Sequence, residues 1–412
     1  MPSGPHLIFD KSALEALAPD EAVWLDQFFL SNITPLFFME TLADLEKEMR
    51  KGRRPEAVVG SLAEKTPDMQ STASVHHSRL FNGELLGQEN VPMDGRIPRG
   101  GGNVVELDGK KGIFYGKAPE DEALERWYRQ EFLDIERQFA RVWRREIPNL
   151  DLEGIYRFFG SWFLIGKPKT FAEARTLSQA YIDGSPPEDS LKFGLTLFGI
   201  PDTGRQQVLH RWVNAGRPPL KSFVPYFHFL YSIELFFNLC IAADLISRER
   251  PSNKLDIAYL YYLPFCNVFT SGDKLHARTV PLFLREDQSF VSAQDLKAGL
   301  RQLDSLYSAL PEETRKSGFH HFASYPPLDD SYLVTRLWDK HMRPEWRAGA
   351  NRPPLDPRAS EALRELLDKI ERDGKQATSD QSISIEEASF MQITRRVRRR
   401  RGKWERFGPE VK

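Results

Sequence analysis

The chain has 412 residues, of which 41% are hydrophobic, 12% aromatic and 28% charged, a composition typical of a folded protein and too apolar for an intrinsically disordered one. Its 57 Lys and Arg residues and 58 Asp and Glu residues give a net charge of −1, which excludes a global attraction to nucleic acid or to an anionic membrane. Cys240 and Cys266 lie in apolar runs, and no apolar leader precedes Asp10, so we expect buried thiols in a cytoplasmic protein.

The first 50 residues predict alternating strands and helices. Leu7–Phe9 is an apolar strand that ends in Asp10, and Asn32–Phe37 is a second short strand or its approach. The helix that follows has apolar residues at helical spacing, with Glu40 and Asp44 four positions apart on its opposite face.

Residues 52–222 do not continue this alternation and are interpreted as an insertion. The first part is rich in turn-forming residues and predicts loops with one hairpin. Glu120–Ile147 then predicts a long amphipathic helix, followed by shorter helices separated by Lys-Pro and Pro-Pro pairs. The end of this region is locally basic, and its candidate nucleic-acid contacts are Arg205 and Arg211.

The most apolar stretch of the chain is Val224–Ile246. It has the length of a membrane span, but it contains His228 and Glu234, which are costly in hydrocarbon. We therefore expect a central core helix and no membrane partner.

The segment that follows places two carboxylates at the ends of secondary-structure elements. Asp256 opens a short apolar helix, Phe265–Thr270 predicts a buried strand, and a Ser271-Gly272 turn leads to Asp273. Another strand is predicted at Thr279–Leu284 and a helix at 292–303. The alternation predicts an α/β protein whose parallel sheet is flanked by helices.

Residues 311–412 form a C-terminal extension that ends in a basic tail. Phosphate contact, with Trp404 able to stack on a base, is one interpretation of this tail. A solubilising tail or a site for an acidic partner explains the same charges. The candidate nucleic-acid contacts here are Arg395, Arg396, Arg398, Arg399, Arg400, Arg401, Lys403 and Trp404.

Four acids, Asp10, Glu40, Asp256 and Asp273, occur in an order and in settings that resemble the PIN-like nuclease superfamily. The resemblance rests on the FD-x-x-AL opening, the ITP...E segment and the D-x-A...VFTSGDK pattern. It covers residues 6–50 and 253–284, and it implies a discontinuous PIN-like core over 1–51 and 223–310 with a large, mostly helical insertion at 52–222.

The resemblance implies a metal-dependent endonuclease that acts on phosphodiester bonds, with single-stranded RNA favoured as the substrate. Asp10, Asp256 and Asp273 would hold Mg²⁺ or Mn²⁺, hard cations that prefer oxygen ligands, and Glu40 would hold or orient the attacking water. Asp44, Thr270 and Ser271 are accessory candidates. The resemblance also implies that the chain could be a toxin-like ribonuclease.

Each acid taken alone also has a structural explanation, as a helix cap, a turn residue or part of a solvated helix face. Two other functions are therefore considered: a structure-selective DNA nuclease of the flap type, and a PIN-like scaffold that binds RNA or a protein without cutting. The size of the insertion leaves room for a protein partner or a homo-oligomer. The chain contains no Gly-x-Ser-x-Gly, His-Glu-x-x-His or Cys-x-x-Cys motif, which disfavours serine hydrolases, zincins and zinc ribbons.

Overall fold

The computed structural model describes residues 4–99, 103–107, 110–114, 119–133, 136, 151–160, 167–350 and 398–408. Within these residues the strands are β1 (His6–Phe9), β2 (Leu30–Ile33), β3 (Ser71–Ala73), β4 (Asn103–Leu107), β5 (Lys110–Phe114), β6 (Val268–Ser271), β7 (Ser289–Ser292), β8 (Arg400–Arg401) and β9 (Trp404–Glu405). Five of them form one parallel sheet in the order β3-β2-β1-β6-β7, and the other four form two antiparallel hairpins.

Helices cover both faces of the sheet, so the protein has the predicted α/β architecture. The helices of the described residues are α1 (Lys11–Ala16), α2 (Pro19–Phe28), α3 (Pro35–Arg50), α4 (Pro55–Lys65), α5 (His77–Leu86), α6 (Pro119–Tyr128), α7 (Leu152–Gly160), α8 (Phe171–Gly184), α9 (Pro187–Leu197), α10 (Asp202–Asn214), α11 (Leu220–Phe223), α12 (Pro225–Ala242), α13 (Asn253–Ala258), α14 (Lys274–Thr279), α15 (Ala293–Ser308), α16 (Glu312–Lys316), α17 (Phe319–Phe322), α18 (Leu333–His341) and α19 (Trp346–Ala350). Short 3₁₀ segments lie at Tyr259–Phe265 and Val280–Leu282.

The sheet separates two hydrophobic cores because side chains alternate between the faces of a strand. Ile8 and Phe269 point to the face covered by α12, which is buried over almost all of its length. Leu7, Phe9 and Val268 point to the opposite face, where they pack with α2 and α15. The core helix predicted at 224–246 is therefore confirmed as α12. No helix among the described residues is both long enough and apolar enough to cross a bilayer.

Two predicted elements are wrong. The strand predicted at Thr279–Leu284 is the end of α14 and a 3₁₀ turn, because Asp273 caps a helix there and Pro281 cannot donate to a sheet. The neighbouring strand is β7 instead. The helix predicted at Glu120–Ile147 ends at Tyr128, where the chain turns through Gln130 with φ +59°; residues 137–150 lie outside the described residues.

The insertion contributes to the central sheet. The edge strand β3 lies within residues 52–222 and pairs in parallel with β2, so the sheet is larger than the 1–51 and 223–310 segments alone. The predicted hairpin is confirmed as β4 and β5.

The C-terminal hairpin of β8 and β9 packs on the N-terminal helices. Trp404 is buried against Trp24 of α2, with ring centroids 4.9 Å apart. Asp304 of α15 accepts hydrogen bonds from the indole nitrogens of both tryptophans, at 3.2 Å from Trp24 and 2.8 Å from Trp404. Residues 398–408 are thus packed against the folded core.

Candidate active site

The carboxyl ends of the parallel strands bring several predicted acids to one edge of the sheet. Asp10 follows β1, and Ser271 ends the neighbouring strand β6, two residues before Asp273. Asp256 on α13 and Glu40 on α3 lie close enough to interact electrostatically with Asp10. The acids at this position, called the acidic edge below, are Asp10, Glu40, Asp44, Asp256 and Asp273.

Asp10 is buried and fully hydrogen-bonded by the protein. Its Oδ1 accepts from the Ala13 backbone N–H at 2.8 Å, which caps α1, and from the Ser12 hydroxyl at 2.8 Å. Its Oδ2 accepts from the Ser271 hydroxyl at 2.5 Å and lies 3.2 Å from Nδ1 of His276. Burial raises the pKa of Asp10, but the His276 contact and these hydrogen bonds outweigh it, so the pKa is lowered overall.

His276 connects three of the segments that carry the acids. Its Nδ1 faces the Asp10 carboxylate and the Ser271 hydroxyl, and its Nε2 lies 2.7 Å from the backbone oxygen of Asp256. Since the Ser271 hydroxyl donates to Asp10, both ring nitrogens face acceptors, which fits an imidazolium that donates twice. Burial lowers the pKa of His276, but the hydrogen bond and charge of Asp10 raise it overall to about 9.

Glu40 is held from two sides. Its Oε2 accepts from the Tyr259 hydroxyl at 2.8 Å and from the Lys11 backbone N–H at 3.3 Å. Burial is the largest cause that raises the pKa of Glu40, to about 8, and the negative charge of Asp10 adds to it.

Lys11 supplies a second cation to this edge. Its ammonium is buried and lies 2.5 Å from the Asp44 carboxylate and 3.4 Å from that of Glu15. Asp44, an accessory candidate on the same helical face as Glu40, is therefore engaged in an ion pair with the protein itself.

Asp256 and Asp273 form no ion pair with the described residues. Burial raises the pKa of Asp256 to about 7; His276 opposes this increase, and Asp273 and Asp10 add to it. One oxygen of Asp273 accepts from the Leu275 backbone N–H at 2.5 Å, which caps α14. Burial is thus the main cause of the raised pKa values of Glu40 and Asp256, and the negative charges of their acidic neighbours add to it.

The acidic edge suits Mg²⁺ or Mn²⁺ in the chemistry of its donors, which are carboxylate oxygens under mutual repulsion. Across the described ranges, however, no three Asp, Glu, His or Cys side chains are placed together as ligands of one ion. The hydrogen bonds of Asp10 give a reason, because both of its oxygens face protein donors. For Asp10 to bind an ion, it would have to exchange some of these hydrogen bonds for the ion.

The two accessory hydroxyls lie in different places. Ser271 contacts Asp10 directly and donates to it. Thr270 is fully buried on the opposite face of the sheet, in register with Phe9 and Val291, so its hydroxyl points away from the acidic edge.

Sequence reasoning missed three side chains of this site: Lys11, Tyr259 and His276. Two of them follow a predicted acid by three residues, Tyr259 after Asp256 and His276 after Asp273, which is about one helical turn. That spacing is a usable signal, because a residue one turn away shares the face of its acidic neighbour.

Several candidate nucleic-acid contacts in the tail are engaged within the protein. Arg401 and Arg406 are buried and reach Asp26 at 2.8 Å and 2.7 Å, and Arg406 also reaches Asp68 at 2.8 Å. Arg398 lies 2.6 Å from Asp68. These five residues are called the C-terminal cluster below.

The remaining tail candidates differ in exposure. Trp404 is buried, and the Lys403 ammonium lies 2.6 Å from Asp304. Arg399 and Arg400 are exposed, and Arg395 and Arg396 lie outside the described residues. Buried guanidinium and indole groups cannot reach a phosphate or a base in this conformation, so the prediction of nucleic-acid contact now depends on the exposed arginines.

The two basic candidates of the insertion support local structure. Arg211 donates to the backbone oxygens of Glu84 and Leu85 at 2.8 and 2.9 Å and stacks on Phe223. Arg205 donates to the backbone oxygen of Ile200 at 2.6 Å. Both contacts are explained without a nucleic acid.

Comparison of the chain with known proteins identifies no relative. No protein-family model matches the chain, and neither a curated protein nor a solved structure is significantly similar to it.

Proposed function

We propose that the chain is a metal-dependent endonuclease that hydrolyses phosphodiester bonds, with single-stranded RNA as the favoured substrate. The observation that carries this proposal is the gathering of Asp10, Glu40, Asp256 and Asp273 from four separate segments at one edge of a parallel sheet. A parallel sheet flanked by helices is the coarse architecture that the resemblance to PIN-like nucleases also implies. The preference for RNA over DNA comes from that resemblance alone.

A bound Mg²⁺ or Mn²⁺ would neutralise phosphate oxygens and make a water molecule more acidic. The residues of the chain would divide the remaining work. Asp256 and Asp273, which have no cationic partner among the described residues, are the carboxylates best placed to hold the ion. Glu40, whose pKa is raised to about 8 by burial and by Asp10, is suited to accept or hold a proton near neutral pH.

Asp256→Asn is the sharpest variant for this proposal. Its side chain accepts no hydrogen bond among the described contacts, so the amide should preserve the fold, whereas Asp10→Asn would also remove the carboxylate that His276 and the Ser271 hydroxyl contact. Asp202→Asn changes an exposed acid outside the acidic edge and serves as the matched control.

Cleavage of labelled single-stranded RNA, single-stranded DNA and a DNA flap would be followed with Mn²⁺ and with a chelator. We expect metal-dependent cleavage that is fastest on RNA, reduced at least 100-fold by Asp256→Asn and unchanged by Asp202→Asn. Fastest cleavage of the flap would favour a structure-selective DNA nuclease. Equal rates for the wild type and Asp256→Asn would contradict the assigned site.

A second candidate function is a PIN-like scaffold that binds RNA or a partner without cutting. Two observations favour it: the acids are not placed as a three-ligand group, and Lys11 and His276 already supply cationic charge at the acidic edge. RNA binding without cleavage and without Mn²⁺ binding would support this function over the nuclease.

A further inference from the structure

Four small polar side chains line two adjacent strands beside the acidic edge. Asn32 and Thr72 are partners in the register of β2 and β3 and therefore share one face of the sheet. Thr34 and Ser74 come two residues later, directly after the ends of β2 and β3. The backbone at Thr34 is still extended, and the Ser74 N–H still donates to the Ile33 oxygen, so both side chains point to the same face. These four residues are called the polar ladder below.

The polar ladder is buried but not satisfied by the protein. Each of its residues is at most 5% exposed. Asn32 Oδ1, Thr34 Oγ1, Thr72 Oγ1 and Ser74 Oγ have no hydrogen-bond partner within the described part of the chain. Asn32 uses only its amide nitrogen, which donates to the Phe265 backbone oxygen at 3.3 Å. A buried polar atom without a partner is unfavourable, so four of them on one face require an explanation.

We propose that the polar ladder holds a buried cluster of ordered water molecules. Three of its groups are hydroxyls, which both donate and accept, and the fourth is an amide oxygen that accepts. Water can satisfy groups of both kinds. A cation would satisfy the oxygens but would leave the hydroxyl hydrogens without acceptors, and the ladder contains no carboxylate to neutralise it.

The polar ladder lies directly beside the acidic edge. Asn32 pairs with Ile8 in the register of β1 and β2. Two residues further along each strand direction, Thr34 lies opposite Asp10, on the same face of the sheet. The water cluster therefore borders the acidic edge from inside the protein, under the 3₁₀ segment that carries Tyr259. This inference does not depend on nuclease activity.

Isosteric Thr-to-Val substitutions test the proposal by the sign of their effect. If water satisfies Thr72 and Thr34, Thr72→Val and Thr34→Val break its hydrogen bonds, and each should lower Tm by about 1–3 °C. If the hydroxyls are dry, valine removes an unsatisfied group and should raise Tm.

Thr270→Val is the matched control, because its hydroxyl also lacks a described partner but lies between Phe9 and Val291 on the apolar face. We expect this variant to keep or raise Tm. A rise in Tm for Thr72→Val and Thr34→Val equal to that of Thr270→Val would overturn the proposal.

Magnetic relaxation dispersion of water ¹⁷O in the full chain gives a second readout, because it reports long-lived internal water. Thr72→Val should reduce the dispersion amplitude relative to the wild type, and Thr270→Val should not. An unchanged amplitude would contradict the water cluster. A rise in Tm with KCl over choline chloride that disappears in Thr72→Val would identify a monovalent cation there and would also contradict it.

Discussion

The acidic edge and the C-terminal cluster both place carboxylates in the protein interior, but they differ in how the charge is compensated. In the C-terminal cluster, Asp26 and Asp68 are matched by three guanidinium groups at 2.6–2.8 Å. At the acidic edge, five carboxylates meet the cations of Lys11 and His276. The buried ion pairs of the C-terminal cluster are part of the structure of the core. At the acidic edge, Asp256 and Asp273 have no ion-pair partner among the described residues, and for this reason we propose that a cation binds there.

The largest effect on stability is expected in the C-terminal cluster. Arg401→Met removes a fully buried guanidinium from Asp26 and should lower the free energy of unfolding by about 3 kcal/mol, because an incompletely compensated buried carboxylate is left behind. Arg400→Met, an exposed neighbour, should change it by less than about 0.5 kcal/mol. Denaturant unfolding of both variants measures the difference, and similar small losses would show that the tail is not part of the core.

The contact of His276 with Asp10 makes stability depend on pH. Because the folded pKa of about 9 lies above the ordinary 6.5, the contribution is fully present below pH 6.5 and is lost as pH rises through 9. His276→Gln should therefore cost about 2 kcal/mol at pH 6 and much less above pH 9. Denaturant unfolding across this pH range checks the trend, and a loss independent of pH would mean that the imidazole is neutral.

Asp256→Asn should increase the free energy of unfolding, whereas Arg401→Met should decrease it. This difference in sign distinguishes the acidic edge from the C-terminal cluster most clearly. The pKa of Asp256 is raised to about 7, so the wild type loses stability as pH rises from about 4 to 7. The neutral amide should therefore stabilise the metal-free protein by about 1 kcal/mol at pH 8 and leave it unchanged near pH 4. A destabilised variant at pH 8, with Asp202→Asn as the control, would contradict a buried Asp256 carboxylate that is unfavourable in the metal-free protein.

The smallest expected effect concerns the exposed arginines of the tail. Replacing Arg399 and Arg400 together by Gln should leave stability within about 0.5 kcal/mol of the wild type. If they contact phosphates, single-stranded RNA binding should weaken, and its dependence on salt should become shallower by about 0.7 for each lost contact. Binding isotherms over a salt series measure this, and an unchanged slope would assign both residues to solvent.

The sequence predicted the parallel α/β architecture and the settings of the acids, because strands ending in Asp10 and near Asp273 are strongly apolar and are followed by turn or capping residues. It missed β3 and β7, whose polar residues at Ser71 and Ser289 weaken the strand pattern. The Thr279–Leu284 run was misleading because apolar composition alone does not separate a short helix from a strand.

The contacts around the acids depended on long-range packing that local patterns do not contain. The imidazole of His276 meets Asp10 across 266 positions of the chain, and Tyr259 meets Glu40 across 219. The burial of part of the basic tail also depends on long-range contacts and could not be predicted from the local sequence. A run of arginines has the composition of a solvated segment, and only the buried partners Asp26 and Asp68 make part of it structural.

Calorimetric titration of the full chain with Mn²⁺ at pH 7, for the wild type, Asp256→Asn and Asp202→Asn, tests most directly whether the acidic edge is a cation site. We expect the wild type and Asp202→Asn to bind at least one ion per chain with equal affinity, and Asp256→Asn to bind at least 10-fold more weakly. Absence of binding to the wild type, or equal affinity in all three proteins, would contradict the account.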